Sequence, residues 1–502
     1  MTDNLNHLDI AIVGGGISGI YTAWRLINEH PELKIKLFEA SDRIGGRLLS
    51  VKPPELKGFR AELGGMRYLT NQARVQSLVE KLNLKVRPFP VGQDDNIYYL
   101  RGQHLRQDDF DMPEAVPYRM SWLERGKSPG QLIAEAIDAV IPGAAALTAE
   151  QWQDVKKNYS FDGKPLYNSG FWNVLHTVMS SEAYKLVFDA GGYATTISNW
   201  NAAEAMAWYL ADFGPTAKYM TLEDGYEALP RNLAEAYRNS GGQIEYRAQL
   251  TGIGRDGAGP DCQLLFADGS EYRAGKVVLA MPRRSLELIE PDGPFFETAG
   301  VADAIASVTP HPMFKLFLCY RYPWWQDAGV TVGRSVTDLP LRQVYYFGVE
   351  PPEAGHVTPD MRDSLLMASY DDGRHVGFWR GLAADEPLPL DDDPYDSPDR
   401  WNCYKAPPAM IAHAQRQLKL VHDLEYIPEP YAAAFLDWGQ DPYGGAWNSW
   451  NIGVKTWEQI PRMIQPAVDW PVYICGEAYS SSQGWVEGAL ETADRVYERL
   501  IS

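Results

Sequence analysis

Leu8-Asp-Ile-Ala-Ile-Val-Gly-Gly-Gly-Ile-Ser-Gly19 decides how this chain folds. Ile10, Ile12 and Val13 sit in the short apolar run of a strand buried on both faces of a parallel sheet. Gly14, Gly16 and Gly19 follow at the dinucleotide-binding spacing. Gly14 allows the tight turn, Gly16 lets backbone approach a pyrophosphate, and Gly19 lets the next helix pack closely on the sheet. Ile20, Ala23, Leu26 and Ile27 continue at helical spacing, and the N-terminus of that helix offers N–H groups and a positive dipole end to a phosphate. A second strand, Ile35 to Phe38, ends at Glu39, about twenty residues past the last glycine, where an acid grips a ribose hydroxyl. Strand, glycines, helix and acid together predict an α/β, Rossmann-type domain, although the glycines alone do not separate NAD from FAD.

Arg43-Ile-Gly-Gly-Arg47 lies just beyond Glu39. It resembles the second fingerprint of the flavin amine oxidase superfamily, where a glycine pair and flanking arginines follow the FAD pyrophosphate.

A chain of 502 residues has room for two or three domains. The net charge of -20 argues against nucleic acid as a partner. Cys262, Cys319, Cys403 and Cys475 are far apart and read as free thiols. The histidines form no ligand pair at helical or finger spacing, so no metal is expected. The first strand starts within ten residues of the N-terminus, with no leader-like segment before it, and no stretch is long and apolar enough to span a membrane. A cytoplasmic protein with no membrane partner is expected.

Outward from the first fingerprint, Val75, Leu78, Val79 and Leu82 mark a helix, and Tyr98 to Leu100 a strand with a turn at Arg101-Gly102. Leu132, Ile133, Ala136, Ile137 and Val140 form one helical face, and the pattern stays helical to about residue 215. Short runs near Ile244, Leu250, Gln263 and Lys276 read as a small meander laid on the Rossmann core. Phe314 to Tyr320, Gln343 to Phe347 and Leu365 to Tyr370 are β-rich, whereas the acidic stretch 391–398 reads as a solvated loop. Val472 to Glu477 returns to the first domain and leads into an amphipathic helix through Leu500. The expected division is a discontinuous FAD-binding domain (1–68, 222–310, 455–502), a β-rich substrate domain (69–115, 311–454) and a helical insertion (116–221).

At these positions the sequence resembles an L-amino acid oxidase of the flavin monoamine oxidase superfamily, over nearly the whole chain. In Gly64-Gly-Met-Arg67 the arginine matches the one that holds the substrate α-carboxylate beside the flavin. A guanidinium suits that task as a planar, permanently charged fork. Tyr370 matches a tyrosine that gives the carboxylate a second hydrogen bond. Lys315 interrupts an apolar run, so it either faces solvent at an edge or is buried for a purpose. The resemblance implies the second, with a water-bridged contact toward flavin N5 that assists oxygen chemistry. Ala446 stands where covalent relatives carry the flavin-linked cysteine, which implies non-covalent FAD. Trp447 and Trp485, after Gly444-Gly445 and Gly484, match two aromatic walls that guide the amine. The implied FAD contacts are Gly14, Gly16, Ser18, Gly19, Glu39, Ala40, Arg43, Gly46, Arg47, Gly64, Gly65, Met66, Arg67, Leu250, Gly476, Glu477, Gly484, Trp485 and Val486.

One departure stands out. Some of these oxidases carry a histidine base in the helical insertion, but no histidine lies between His176 and His311 here. The implied reaction is oxidative deamination of an L-amino acid by hydride transfer to flavin, with molecular oxygen yielding hydrogen peroxide. The aromatic residues lean toward bulky side chains, whereas Asp212 offers an acid to a basic one. An amino acid 2-monooxygenase, a monoamine or polyamine oxidase and a non-catalytic flavin-binding protein are the alternatives. Dimers are common in the family, and the resemblance implies a homodimer or higher homo-oligomer.

Overall fold

The computed structural model describes residues 7–214, 217–255, 259–290, 293–351, 361–383 and 398–502. The acidic loop read over 391–398 lies, but for Pro398, outside them.

His7–Val13 runs through the middle of a seven-stranded sheet. It pairs in parallel with Ile35–Phe38, which in turn pairs with Gln243–Glu245, and on its other side with Glu271–Leu279. Every residue from Ile10 to Val13 is buried, as a central parallel strand requires. Helices Ile17–Glu29, Ala228–Asn239 and Val486–Ile501 cover one face, where Ile20, Ala23 and Leu26 meet Leu229, Leu233, Leu490 and Val496.

The meander is not a separate layer. Cys262–Phe266 pairs antiparallel with the first half of Glu271–Leu279, and Val472–Ile474 pairs in parallel with its last three residues. A nine-residue strand is long enough to carry a different neighbour at each end, so hairpin and core form one continuous sheet.

A second seven-stranded sheet has the order Ala432–Asp437, Met313–Tyr320, Ser364–Asp372, Gln343–Val349, Gly333–Thr337, Tyr98–Leu100, Gln103–Leu105. All eight residues of Met313–Tyr320 are buried, Lys315 included. Lys315 pairs with Tyr370 on one side and Leu436 on the other, so the two residues singled out in these strands are cross-strand neighbours.

Between the sheets in sequence lie helices Pro129–Val140, Ala149–Asn158, Phe171–Val178, Ser181–Gly191 and Ala202–Phe213, with a two-residue hairpin at Ser160–Phe161 and Lys164–Pro165. Ser128 and Thr148 cap the first two through reciprocal bonds with Gln131 and Gln151, satisfying N–H groups the helices leave open. Asn201 caps the last, and its amide also donates to the Val454 carbonyl. The buried pair Lys156–Glu204, 2.6 Å apart, and Thr456, which donates to Glu204 at 2.6 Å, tie the same helix down. That anchorage matters because Ala202–Phe213 carries Trp208, Asp212 and Phe213 toward the site.

No described helix is long and apolar enough to cross a membrane.

Candidate active site

One chamber of about 830 Å³ runs from the first glycine turn to the second sheet. The sequence-marked residues Gly14, Gly16, Ser18, Glu39, Ala40, Arg43, Gly46, Arg47, Gly64, Gly65, Met66, Arg67, Leu250, Lys315, Tyr370, Ala446, Trp447, Gly476, Glu477, Gly484, Trp485 and Val486 all line it. Gly19 does not, and its place is structural. A Cβ there would stand 2.0 Å from the Gly14 carbonyl oxygen and 3.0 Å from Ala280 Cβ, so only glycine lets helix Ile17–Glu29 pack this close.

The nucleotide end tests well for a dinucleotide. Gly14 has φ +110°, which glycine alone adopts without strain, and a Cβ would meet Ala280 O at 2.4 Å. At Gly16 a Cβ would meet nothing within 4 Å, so the chain presents bare backbone to open space. Gly16 caps its helix with no side-chain bond, leaving first-turn N–H groups for a phosphate. Helix Val486–Ile501 likewise starts without a side-chain cap, and Val486 and Ala489 line the chamber. Glu39 is held in place: its carboxylate accepts from Gly15 N at 2.6 Å and from Ser41 N and Oγ at 2.9 and 2.8 Å. Arg47 donates to the Ala446 carbonyl at 2.8 Å and pairs with Glu477 at 3.0 Å. Glu477 also accepts from Asn448 N and Gly484 N, so one buried carboxylate gathers three segments around the chamber wall. None of the four cysteines lines the chamber, and none forms a disulfide.

Arg67 is 7% exposed. Its Nη1 donates to Tyr345 Oη at 3.0 Å and its Nη2 to Tyr193 Oη at 3.2 Å. The guanidinium lies 4.4 Å over the Tyr219 ring. No carboxylate among the described residues pairs with it. Burial works against its charge, but the surrounding phenols keep its pKa above the ordinary arginine value. The cation therefore stands ready, with N–H groups to spare, for an anion supplied from the chamber.

Lys315 is 3% exposed, which removes the solvent-facing alternative. Its Nζ donates to the carbonyls of Glu62 at 2.9 Å and Gly64 at 2.5 Å, pinning the turn that leads into Arg67. Two of its three donors thus go to backbone, which leaves a third. Burial lowers its pKa to about 7, and burial raises that of Glu62 to about 7. Tyr370 covers the ammonium with its ring, 4.7 Å away, and meets the Tyr193 ring edge-on at 5.3 Å.

Both expected tryptophans line the chamber, and each is backed by other rings. Trp447 stacks on Trp208 at 5.6 Å and on His311 at 4.5 Å. Trp485 lies parallel to Tyr219 at 6.5 Å, so Trp485, Tyr219 and the Arg67 guanidinium form one column. Asp212 braces that column: its carboxylate accepts from Trp485 Nε1 and its carbonyl from Tyr219 Oη, both at 2.5 Å. Its carboxylate is therefore committed behind the lining, not presented to a basic side chain. Burial pushes its pKa up to about 7.

Sequence reasoning missed Tyr193, Tyr219, Gln343, Tyr345 and Glu62. They reach the site from four different segments, Gln343 and Tyr345 sharing the strand Gln343–Val349, and none carries a spacing signal. Gln343 and Tyr345 came nearest, inside the β-rich run Gln343 to Phe347. Among the described residues no cluster of three or more His, Cys, Asp or Glu could hold a metal ion.

Comparison with known proteins agrees with this geometry. The family described as flavin containing amine oxidoreductase matches residues 17–388 and 395–501. Aplysianin-A of Aplysia kurodai is 28% identical, with 97% of this chain and 89% of the relative covered. Achacin of Lissachatina fulica is 26% identical, covering 98% and 93%. An L-amino-acid oxidase of Sistrurus catenatus edwardsii is 25% identical over 69% of this chain and 64% of its own length. The solved structure of putrescine oxidase bound to putrescine shares the fold, with TM-score 0.69 at 18% identity and 99% of both chains covered. A glycine-turn sheet, a chamber that suits a dinucleotide and a family match over nearly the whole length lead to one conclusion: this chain is a flavin-dependent oxidoreductase and belongs to the flavin-containing amine oxidoreductase family.

Proposed function

We propose that the protein oxidatively deaminates L-amino acids to 2-oxo acids, releasing ammonia and hydrogen peroxide, with FAD bound non-covalently. The observation that carries this reading is Arg67, a buried guanidinium on the chamber wall with no carboxylate partner among the described residues. A simple amine gives such a cation nothing to bind, whereas an α-carboxylate matches its fork. The curated relatives named L-amino-acid oxidase support the same choice. Ala446 on the chamber wall, with no cysteine there, supports non-covalent attachment.

When bound, FAD supplies the two-electron acceptor for the α-hydrogen, and oxygen carries those electrons on to hydrogen peroxide. The chain's own part is positioning. Arg67 fixes the carboxylate, Tyr193 and Tyr345 hold Arg67, and Lys315 fixes the Glu62–Gly64 turn before it. Trp208, Phe213 and Trp447 line the same space with apolar surface and exclude water, which favours bulky or aromatic side chains. No histidine is among the lining residues, so the α-ammonium gives its proton to solvent. The first sheet draws all its strands from 1–68, 222–310 and 455–502, supporting a cofactor domain of those segments.

The test is the visible spectrum of the purified protein without oxygen. L-Phenylalanine is expected to bleach the flavin bands, and phenethylamine, which lacks the carboxylate, to leave them oxidised. Bleaching by the amine alone would overturn the assignment in favour of an amine oxidase.

A further inference from the structure

Two guanidiniums are linked to Tyr345, Arg67 directly and Arg334 through Gln343. Arg67 donates to its hydroxyl at 3.0 Å. Arg334, half-buried, donates to Gln343 Oε1 at 3.0 Å, and Tyr345 Oη donates to that same oxygen at 3.4 Å. Gln343 is fixed by its amide, which donates to the carbonyls of Gly192 and Tyr370, both at 3.3 Å. Arg67, Tyr345, Gln343 and Arg334 thus form a continuous chain from the chamber wall outward. Neither guanidinium has a carboxylate partner among the described residues; that of Arg334 otherwise donates to the Gly191 carbonyl, at 3.4 Å. Two positive charges this close in a buried setting are costly without a negative one. Tyr345, 1% exposed, is the group between them that can become negative.

We propose that Tyr345 is a positioning residue that doubles as the internal counter-ion of Arg67, and that its phenolate competes with the substrate carboxylate for that guanidinium. The inference rests on the reading of Arg67 as a carboxylate clamp. Every charged or titratable group facing Tyr345 bears on it. Arg67, from the turn before Tyr68–Leu69, and Arg334, from Gly333–Thr337, favour the phenolate. Tyr193, after helix Ser181–Gly191, donates toward it; Tyr219 and Tyr370, from their own strands, oppose a second negative charge. Burial alone would raise the phenol's pKa, yet the two cations bring it below the ordinary tyrosine value of 10.0, while burial holds Tyr193 well above that value. The two phenols share one guanidinium, so ionising either disfavours ionising the other; of the two, Tyr345 also bonds the Gln343 oxygen that Arg334 holds, which places it between both cations. At lower pH Tyr345 is a neutral acceptor and Arg67 keeps its full charge for a ligand. As pH rises through the Tyr345 pKa, the proton leaves to solvent, the pair neutralises internally and anion affinity falls.

The test uses the flavin-loaded protein and benzoate, a carboxylate with no amine, so that no titration of a substrate ammonium intrudes. Benzoate binding is read from the flavin absorbance. Its Kd is expected to rise by more than about twofold between pH 7 and pH 10, along a single-proton limb. In Tyr345→Phe the rise should shrink to under about twofold. In Arg334→Gln, which removes one of the two cations, the limb should move to higher pH. Independently, the near-ultraviolet phenolate band of the wild type minus Tyr345→Phe should appear along the same limb. An unchanged limb in Tyr345→Phe, or no difference in the phenolate band, overturns the proposal while leaving the carboxylate clamp intact. Failure of benzoate to bind at any pH overturns the clamp and the proposal with it.

Discussion

Replacing Arg67 with methionine keeps most of the side chain's length and removes the charge and all five donors. In the structure those donors make two bonds, to Tyr345 and Tyr193, and face no acid among the described residues. A carboxylate gripped by the fork gains two charge-assisted bonds, together about 3–5 kcal/mol, so kcat/KM for L-phenylalanine is expected to fall by roughly 10²–10⁴. A loss of positioning reaches kcat as well as KM, because a carboxylate held by Tyr370 alone leaves the α-carbon free to wander. Stability should move the other way. The variant deletes a buried cation with no carboxylate partner, so the thermal midpoint is expected to hold or rise. Arg67→Lys restores the charge without the fork and should recover only part of the activity. The assay is peroxide release under steady-state turnover, paired with a thermal melt and a measurement of bound flavin. Activity within fivefold of wild type in Arg67→Met, with flavin retained, would refute the clamp. A collapse in stability together with activity would show that Arg67 is a structural residue instead.

Gly14 and Gly16 separate folding from cofactor binding. Gly14→Ala forces a Cβ to within 2.4 Å of Ala280 O at φ +110° and should destabilise the apoprotein by about 2–4 kcal/mol in a denaturant melt. Gly16→Ala meets nothing within 4 Å, so the fold should survive while bound flavin falls sharply; full flavin content in that variant would contradict the phosphate reading of this turn. Asp212 gives a pH prediction. Its pKa is about 7 when folded, against a carboxyl value of 3.8, so the folded state binds the extra proton between these values and loses stability as pH rises from about 4 to 7. Asp212→Asn should flatten that slope in thermal melts, and an unchanged slope would show that Asp212 ionises normally.

The first glycine turn was legible because its constraints are local. Gly14, Gly16, Glu39 and the apolar run before them lie within about thirty residues, and each answers a steric or hydrogen-bonding need of one strand–turn–helix unit. The interruption of an apolar strand by Lys315 was visible too, since a lone lysine among seven apolar or aromatic neighbours is anomalous at any reading. Its partners were not: the carbonyls of Glu62 and Gly64 are backbone atoms some 250 residues away, and any sequence supplies a carbonyl.

What the sequence alone determined was the α/β cofactor fold, the charge excess that disfavours nucleic acid, and the oddity of Lys315 in an apolar strand; Arg67 and Tyr370 stood out only through the family resemblance. Tertiary structure decided what those residues face. Lys315 and Tyr370 meet only because their strands pair in one register, and a shift by one residue would send both side chains to the other face. Tyr193 and Tyr345 become the partners of Arg67, and Gln343 the link to Arg334, only after separate elements converge. Asp212, legible as an acid in the insertion, turned out to brace Trp485 and Tyr219, because helix Ala202–Phe213 is pinned through Glu204 and delivers its last turn behind the wall. Periodicity and motif spacing report on neighbours along the chain; hydrogen-bond partners and charge compensation are set by distances through space, which long-range packing alone supplies.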